Sequence, residues 1–162
     1  NLTGERRRFL WKLHAALNIA AGDVIDCPAD RAQVVDLNYS RFATQSPFSW
    51  PQLEGKSVNV VPAADGTMDF FYLFDLRAGR MVWRRPSERI EFAYEFDPHV
   101  FPYAWLFATY GGFLGHYTAV LEPCTTMPIS VNEAALKNQC SSLEPGQKLE
   151  TRVSIRAGRL KE

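Results

Sequence analysis

The chain has no excess of charge of either sign: 18 Lys and Arg balance 18 Asp and Glu. No field draws it toward nucleic acid or an anionic membrane, so the expected partner is neutral. Arg6-Arg7-Arg8 is too short for a nucleic-acid patch and reads as a solvated N-terminus, and Arg84-Arg85 beside Pro86 reads as a solvated run as well. Cysteine is scarce. Cys27, Cys124 and Cys140 form an odd, widely spaced set that fits neither a disulfide framework nor a structural zinc site, which predicts a reducing, cytoplasmic setting. No apolar run is long enough to span a membrane, and no basic n-region leads an apolar h-region. The chain opens on Asn1 rather than Met, so a processed start, with a leader removed, stays open. Internal repeats, low-complexity segments and a phosphate-binding glycine loop are also lacking. The three histidines, His14, His99 and His116, have no metal-ligand spacing with one another or with Glu122 or Asp97, so no metal is expected.

What the chain does have is short runs rich in Val, Phe, Tyr and Ile, cut by Gly, Pro, Asp and Asn. That spacing predicts an all-β sandwich forming a single domain over 1–162. Expected strands are 24–27, 31–35, 57–61, 69–74, 80–84, 88–96, 103–109, 117–122 and 149–155. Within 88–96 polar and apolar residues alternate, putting Ile90, Phe92, Tyr94 and Phe96 on one face. Ala78-Gly79 reads as a tight connection with positive φ at the glycine, Asp65-Gly66 as a hairpin turn, and Asp97-Pro98 as a strand exit. One short helix is expected over 131–138, capped by Ser130 with Glu133 as its capping-box partner. The stretch 39–56 is the least regular and the expected mobile loop.

The segment Gly111-Gly112-Phe113-Leu114-Gly115-His116-Tyr117-Thr118-Ala119-Val120-Leu121-Glu122-Pro123 sets a single carboxylate after an apolar run. Pro123 withholds a donor and is expected to stop the ladder one residue beyond Glu122. A carboxylate at a strand end among Tyr103, Trp105, Tyr110 and Tyr117 suits a general base in a sugar pocket, and equally suits a salt-bridged strand end. Among the aromatics, Tyr103, Trp105 or Tyr110 is the candidate ring on which the C–H face of a pyranose stacks, the others being core. His116 is placed to line the pocket. Asp69 and Asp75, flanking an aromatic strand, read either as hydroxyl-binding or as structural carboxylates. Cys124 reads as a small buried thiol.

The stretch from Phe96 to Glu150, FDPHVFPYAWLFATYGGFLGHYTAVLEPCTTMP and later LEPGQKLE, resembles the C-terminal part of the aldose 1-epimerase (galactose mutarotase-like) superfamily. The match centres on Leu121-Glu122-Pro123, where that family places its catalytic base. Upstream, Leu13-His14-Ala15-Ala16-Leu17 followed by Gly22-Asp23-Val24-Ile25 is similar to the segment that carries the family's general acid. The resemblance therefore implies Glu122 as base, His14 as acid, an aldose as substrate, acid–base chemistry that needs no metal or organic cofactor, and residues 10–17 as loop and strand rather than helix. It also implies a truncated domain, the C-terminal half of a larger supersandwich. Half a sandwich exposes strand edges and an apolar face, which predicts a homodimer. A catalytic mutarotase and a non-catalytic carbohydrate-binding remnant both fit these features.

Overall fold

Alternation of side chains along the strands organises the structure, a computed structural model that describes residues 1–160. In chain order come β1 (Arg7–Phe9), β2 (Ala15–Asn18), β3 (Val24–Asp26), β4 (Ala29–Val34), a 3-10 turn at Leu37–Tyr39, β5 (Phe48–Ser49), β6 (Gln52–Leu53) and β7 (Lys56–Ser57). The second half holds β8 (Thr67–Leu76), β9 (Arg80–Arg85), β10 (Ile90–Glu95), β11 (Tyr103–Tyr110), β12 (Tyr117–Cys124), α1 (Val131–Leu136), β13 (Ser141–Leu143) and β14 (Ser154–Arg159). A six-stranded antiparallel sheet, β2-β12-β11-β8-β4-β5, packs on a four-stranded one, β14-β10-β9-β3, and two small ribbons complete the set. Phe71, Leu73, Leu106 and Leu121 from the larger sheet share one core with Ile25, Met81, Trp83 and Tyr94 from the smaller. The fold is an all-β sandwich with one short helix.

Both faces of the larger sheet are apolar. Ala104, Leu106, Ala108 and Tyr110 of β11 point into the sandwich core, whereas Tyr103 and Trp105 join Tyr72, Phe74 and Met127 in a second cluster on the outer face. The segment after β12 lies over that cluster: Trp105 Nε1 donates to the Thr126 carbonyl at 3.0 Å and the Ile129 amide donates to the Tyr72 hydroxyl at 3.0 Å. Ser130 caps α1 as expected, its hydroxyl accepting from the Glu133 amide. Two buried carboxylates clasp the sandwich. Asp23 accepts from Trp83 Nε1, the Ala20 amide and Arg85, and Arg85 also donates to the Asn18 carbonyl, joining the end of β2 to β9. Asp69 accepts from Arg41 and the Tyr110 hydroxyl, pinning the 40–42 loop to β8 and β11.

Several local expectations shift. Residues 57–61 are not a strand beyond Ser57; Val58 and Val61 instead drop into the core. The last strand lies at 154–159 rather than 149–155. Asp65-Gly66 makes no hairpin: both amides donate to the Tyr110 carbonyl, and the Asp65 side chain accepts from Thr67 as the chain enters β8. Gly79 joins strands of different sheets and has no positive φ. It is needed for close approach, because a Cβ there would lie 1.8 Å from the Phe96 carbonyl oxygen. Residues 39–56 are irregular yet carry two short strands and two buried anchors, Phe42 and Leu53. Among the described residues, no helix is long and apolar enough to cross a membrane.

Candidate functional site

Pro123 removes one hydrogen bond from the β12–β2 ladder and none from the β12–β11 ladder. Within a strand, the N–H and C=O of one residue point to the same neighbour. The Pro123 carbonyl accepts from the Leu13 amide at 3.0 Å, so the missing N–H also faces the β2 side. The uninterrupted ladder of β12 with β2 accordingly ends at Leu121 and Ala15, while that with β11 runs on to Cys124 and Tyr103. Contrary to expectation the ladder does not stop: one donor is missing, and the antiparallel alignment continues past it. The residues before β2 stay in that same register: Lys12 is opposite Cys124, Thr125 N donates to the Trp11 carbonyl at 3.0 Å, and Trp11 N donates to Thr125 Oγ1 at 2.9 Å. Trp11 also packs edge-on against Phe101.

This arrangement brings Lys12 and His14 onto the outer face of the larger sheet, beside Glu122. The Glu122 side chain is only 4% exposed. Lys12 Nζ donates to both carboxylate oxygens, at 3.0 and 2.9 Å, and His14 Nε2 lies 3.1 Å from Oε1. Trp105, directly opposite Glu122 on β11, carries the Lys12 ammonium 4.9 Å from its ring centroid. Such a contact adds attraction to a desolvated cation. His14 remains half exposed, so the group reaches solvent on its imidazole side. One row further along the sheet, Val120, Phe107 and Phe70 form an apolar floor, and Phe113 from the β11–β12 turn meets Phe107 edge-on at 6.0 Å. A protonatable pair beside a partly open aromatic floor can exchange protons with a bound polyol.

The structure brings some of the expected site residues together and separates others. Glu122 and His14, more than a hundred positions apart in sequence, are in contact. Trp105 is buried under the site, its ring serving as floor to Lys12 rather than as an exposed platform. Tyr103 is on the same face, one row beyond Trp105 beside Cys124, and burial raises its phenol above the ordinary range. Tyr110 and Asp69 lie on the opposite, core-facing side of the sheet, bonded to each other at 3.2 Å, and are separated from Glu122 by the sheet itself. Burial there pushes Tyr110 up, with the Asp69 charge adding to it, and raises the Asp69 carboxyl against the opposing pull of Arg41. His116 is exposed at the β11–β12 turn, near Phe113, about 20 Å from Glu122 at the rise of an extended strand. Asp75 is exposed at a positive-φ bend of β8, with Arg31 4.0 Å away. Cys124 is fully buried and burial raises its thiol. Among the described residues no group of three His, Cys, Asp or Glu is arranged to hold a metal ion.

Lys12 is the member that sequence reading passes over. Its one visible signal is the alternation Lys12-Leu13-His14, which in extended chain puts the two cationic side chains on the same face. Only the cross-strand position opposite Cys124 reveals that this face carries Glu122.

No family model matches the chain, and no curated protein matches it. Solved structures do share its fold. A candidate aldose 1-epimerase of Escherichia coli K12 superposes with a TM-score of 0.72 at 16% identity, over 99% of this chain and 54% of its own. A galactose mutarotase-like protein of Clostridium acetobutylicum gives 0.63 at 18% identity, over 99% and 50% respectively. The Slr1438 protein of Synechocystis sp. PCC 6803 gives 0.69 at 16% identity, over 98% and 48%. The chain therefore has the fold of part of a galactose mutarotase-like protein and spans about half the length of these structures.

Proposed function

We propose that the protein interconverts the anomers of an unphosphorylated or only weakly anionic aldose, with Glu122 as base and His14 as acid. The observation that carries this reading is the contact of Glu122 Oε1 with His14 Nε2 at 3.1 Å on a half-open sheet face floored by aromatics. In the forward step the Glu122 carboxylate takes the proton from the anomeric hydroxyl. The C1–O5 bond breaks, its electron pair goes to the ring oxygen, and the imidazolium of His14 protonates that oxygen. The product is the open-chain aldehyde. Rotation about C1–C2 presents the other face of the carbonyl, and ring closure returns the proton to His14 while Glu122 reprotonates O1. Atoms and charges balance without an oxidant or a cofactor, and general acid–base help of this kind is worth roughly 10²–10⁴-fold. The apolar floor of Phe107 and Phe70, with Tyr103 beyond Trp105, supplies surface for the C–H face of the ring.

The test is the α-to-β exchange rate of D-glucose and D-galactose, read by two-dimensional exchange NMR with and without the protein. Acceleration lost in both Glu122→Gln and His14→Ala supports the reading; spontaneous rates with the wild-type protein contradict it.

A second reading has its own support. The chain spans half the length of the structures that share its fold, and both Glu122 oxygens are engaged by Lys12. A carbohydrate-binding protein that completes its sandwich by pairing with a second copy would keep the floor and the carboxylate without turnover. Sugar-induced shifts of Phe107 and Phe113 resonances, in a protein that leaves the exchange rate unchanged, would select it.

A further inference from the structure

We propose that Lys12 is a third catalytic group, whose ammonium holds the anomeric oxygen while Glu122 removes its proton; this rests on the mutarotase reading above. An ammonium has three N–H donors. Two go to the Glu122 oxygens, and among the described residues no other acceptor takes the third, which has the Trp105 ring as its remaining polarisable neighbour. A carboxylate offers about four acceptor sites. His14 lies on Oε1, so a substrate hydroxyl donates to Oε2, the oxygen 2.9 Å from Lys12 Nζ. An oxygen bound there falls within reach of the spare donor. As the hydroxyl loses its proton and becomes the aldehyde oxygen, negative charge passes through O1, and a cation held in place beside it stabilises that charge. The Lys12 side chain is 31% exposed, while the 11–13 backbone is tied to 123–125 by three hydrogen bonds. The backbone bonds and the two bonds to Glu122 fix the ammonium in place.

The alternative is an ion pair that only neutralises a buried carboxylate. Two readouts separate the two. The first is kcat and KM for D-glucose and D-galactose in wild type, Lys12→Met and Lys12→Arg, with near-UV circular dichroism to establish that each is folded. Lys12→Met is expected to lose about 100-fold in kcat, the scale of one oxyanion donor, with KM within about threefold, and Lys12→Arg to recover part of the loss. The second is the 15Nζ signal of Lys12 in the wild-type protein, which is expected to shift on saturation with either sugar. A folded Lys12→Met as fast as wild type overturns the inference, and so does a 15Nζ signal that saturating sugar leaves unmoved, whether or not Lys12→Met folds. A wild type that does not accelerate anomer exchange overturns the proposed function and the catalytic role of Lys12 together; a 15Nζ shift in that inert protein then assigns Lys12 to sugar binding alone.

Discussion

At the scale of the residue, what distinguishes Glu122 from the other buried carboxylates is what its partners leave free. Asp23 and Asp69 are buried among protein donors from neighbouring strands and loops, and their bonds lock the sandwich. Glu122 has one partly exposed lysine and one half-exposed histidine. The first kind of site is structural: Asp69→Ala leaves Arg41 without its partner and is expected to cost about 3 kcal/mol, lowering Tm by roughly 6–12 °C in a chain of this size without changing anomer exchange. A calorimetric scan beside the exchange assay checks both parts. Thiol chemistry gives a second prediction. Burial pushes Cys27 up to about 12 from an ordinary 9.0 and raises Cys124 too, whereas Cys140 is partly exposed. A disulfide reagent at pH 8 is expected to modify Cys140 first and the other two only after unfolding. Because the unfolded Cys27 thiol ionises near 9 while the folded one stays protonated to about 12, its contribution to stability is full below pH 9 and falls as pH rises toward 12. Urea titrations at pH 8 and 10 read that slope; rising stability would contradict it. The Glu122–His14 pairing was legible only through the family resemblance, since nothing local links positions so far apart. Asp69 and Tyr110 were misleading because strand parity, invisible until the register is known, turns both into the core.

At the scale of the element, alternation carried most of the strands. In β10, Ile90, Phe92 and Tyr94 share a face as the sequence pattern predicts, and β8, β9, β11 and β12 fall within a few residues of expectation. Which strands pair was not legible. Ala78-Gly79 carries the signal of a tight turn, yet β8 and β9 belong to opposite sheets, because the composition of a turn does not say whether the chain reverses within a sheet or crosses between layers. The 57–61 run has strand-like residues but keeps only a single bridge, Val60 opposite Val24 of β3, with Asn59 and Val61 bonded to residues 22–25, while Val58 and Val61 turn into the core. Gly79 makes the point testable. Its missing side chain is what lets the crossover pass the Phe96 carbonyl, so Gly79→Ala is expected to destabilise by about 1–3 kcal/mol, whereas a glycine serving only a positive-φ turn would resist Ala for a different, conformational reason. A structure of the variant showing displacement of the 96–98 backbone distinguishes these; an unperturbed stability contradicts the close-approach account.

At the scale of the whole molecule, the sandwich is unevenly covered. The six-stranded sheet has apolar residues on both faces, and β14 closes the smaller sheet with all six of its residues exposed. Ile155, opposite Tyr94 on the core-facing side, is 65% exposed. An apolar side chain left open beside an edge strand is a place for association. Sedimentation equilibrium at micromolar concentration is expected to give a dimer that Ile155→Lys weakens; a wild-type monomer would contradict pairing. Whether half of a larger fold suffices for turnover depends on whether Glu122 and His14 act as one unit. The most direct measurement is the polarimetric mutarotation rate of D-glucose with wild type, Glu122→Gln, His14→Ala and the double variant. Acid and base working in one transition state predict a loss of roughly 10²–10⁴-fold in each single variant and a double variant little slower than the worse single one. Multiplying losses, or a wild-type rate equal to the spontaneous one, would contradict the account.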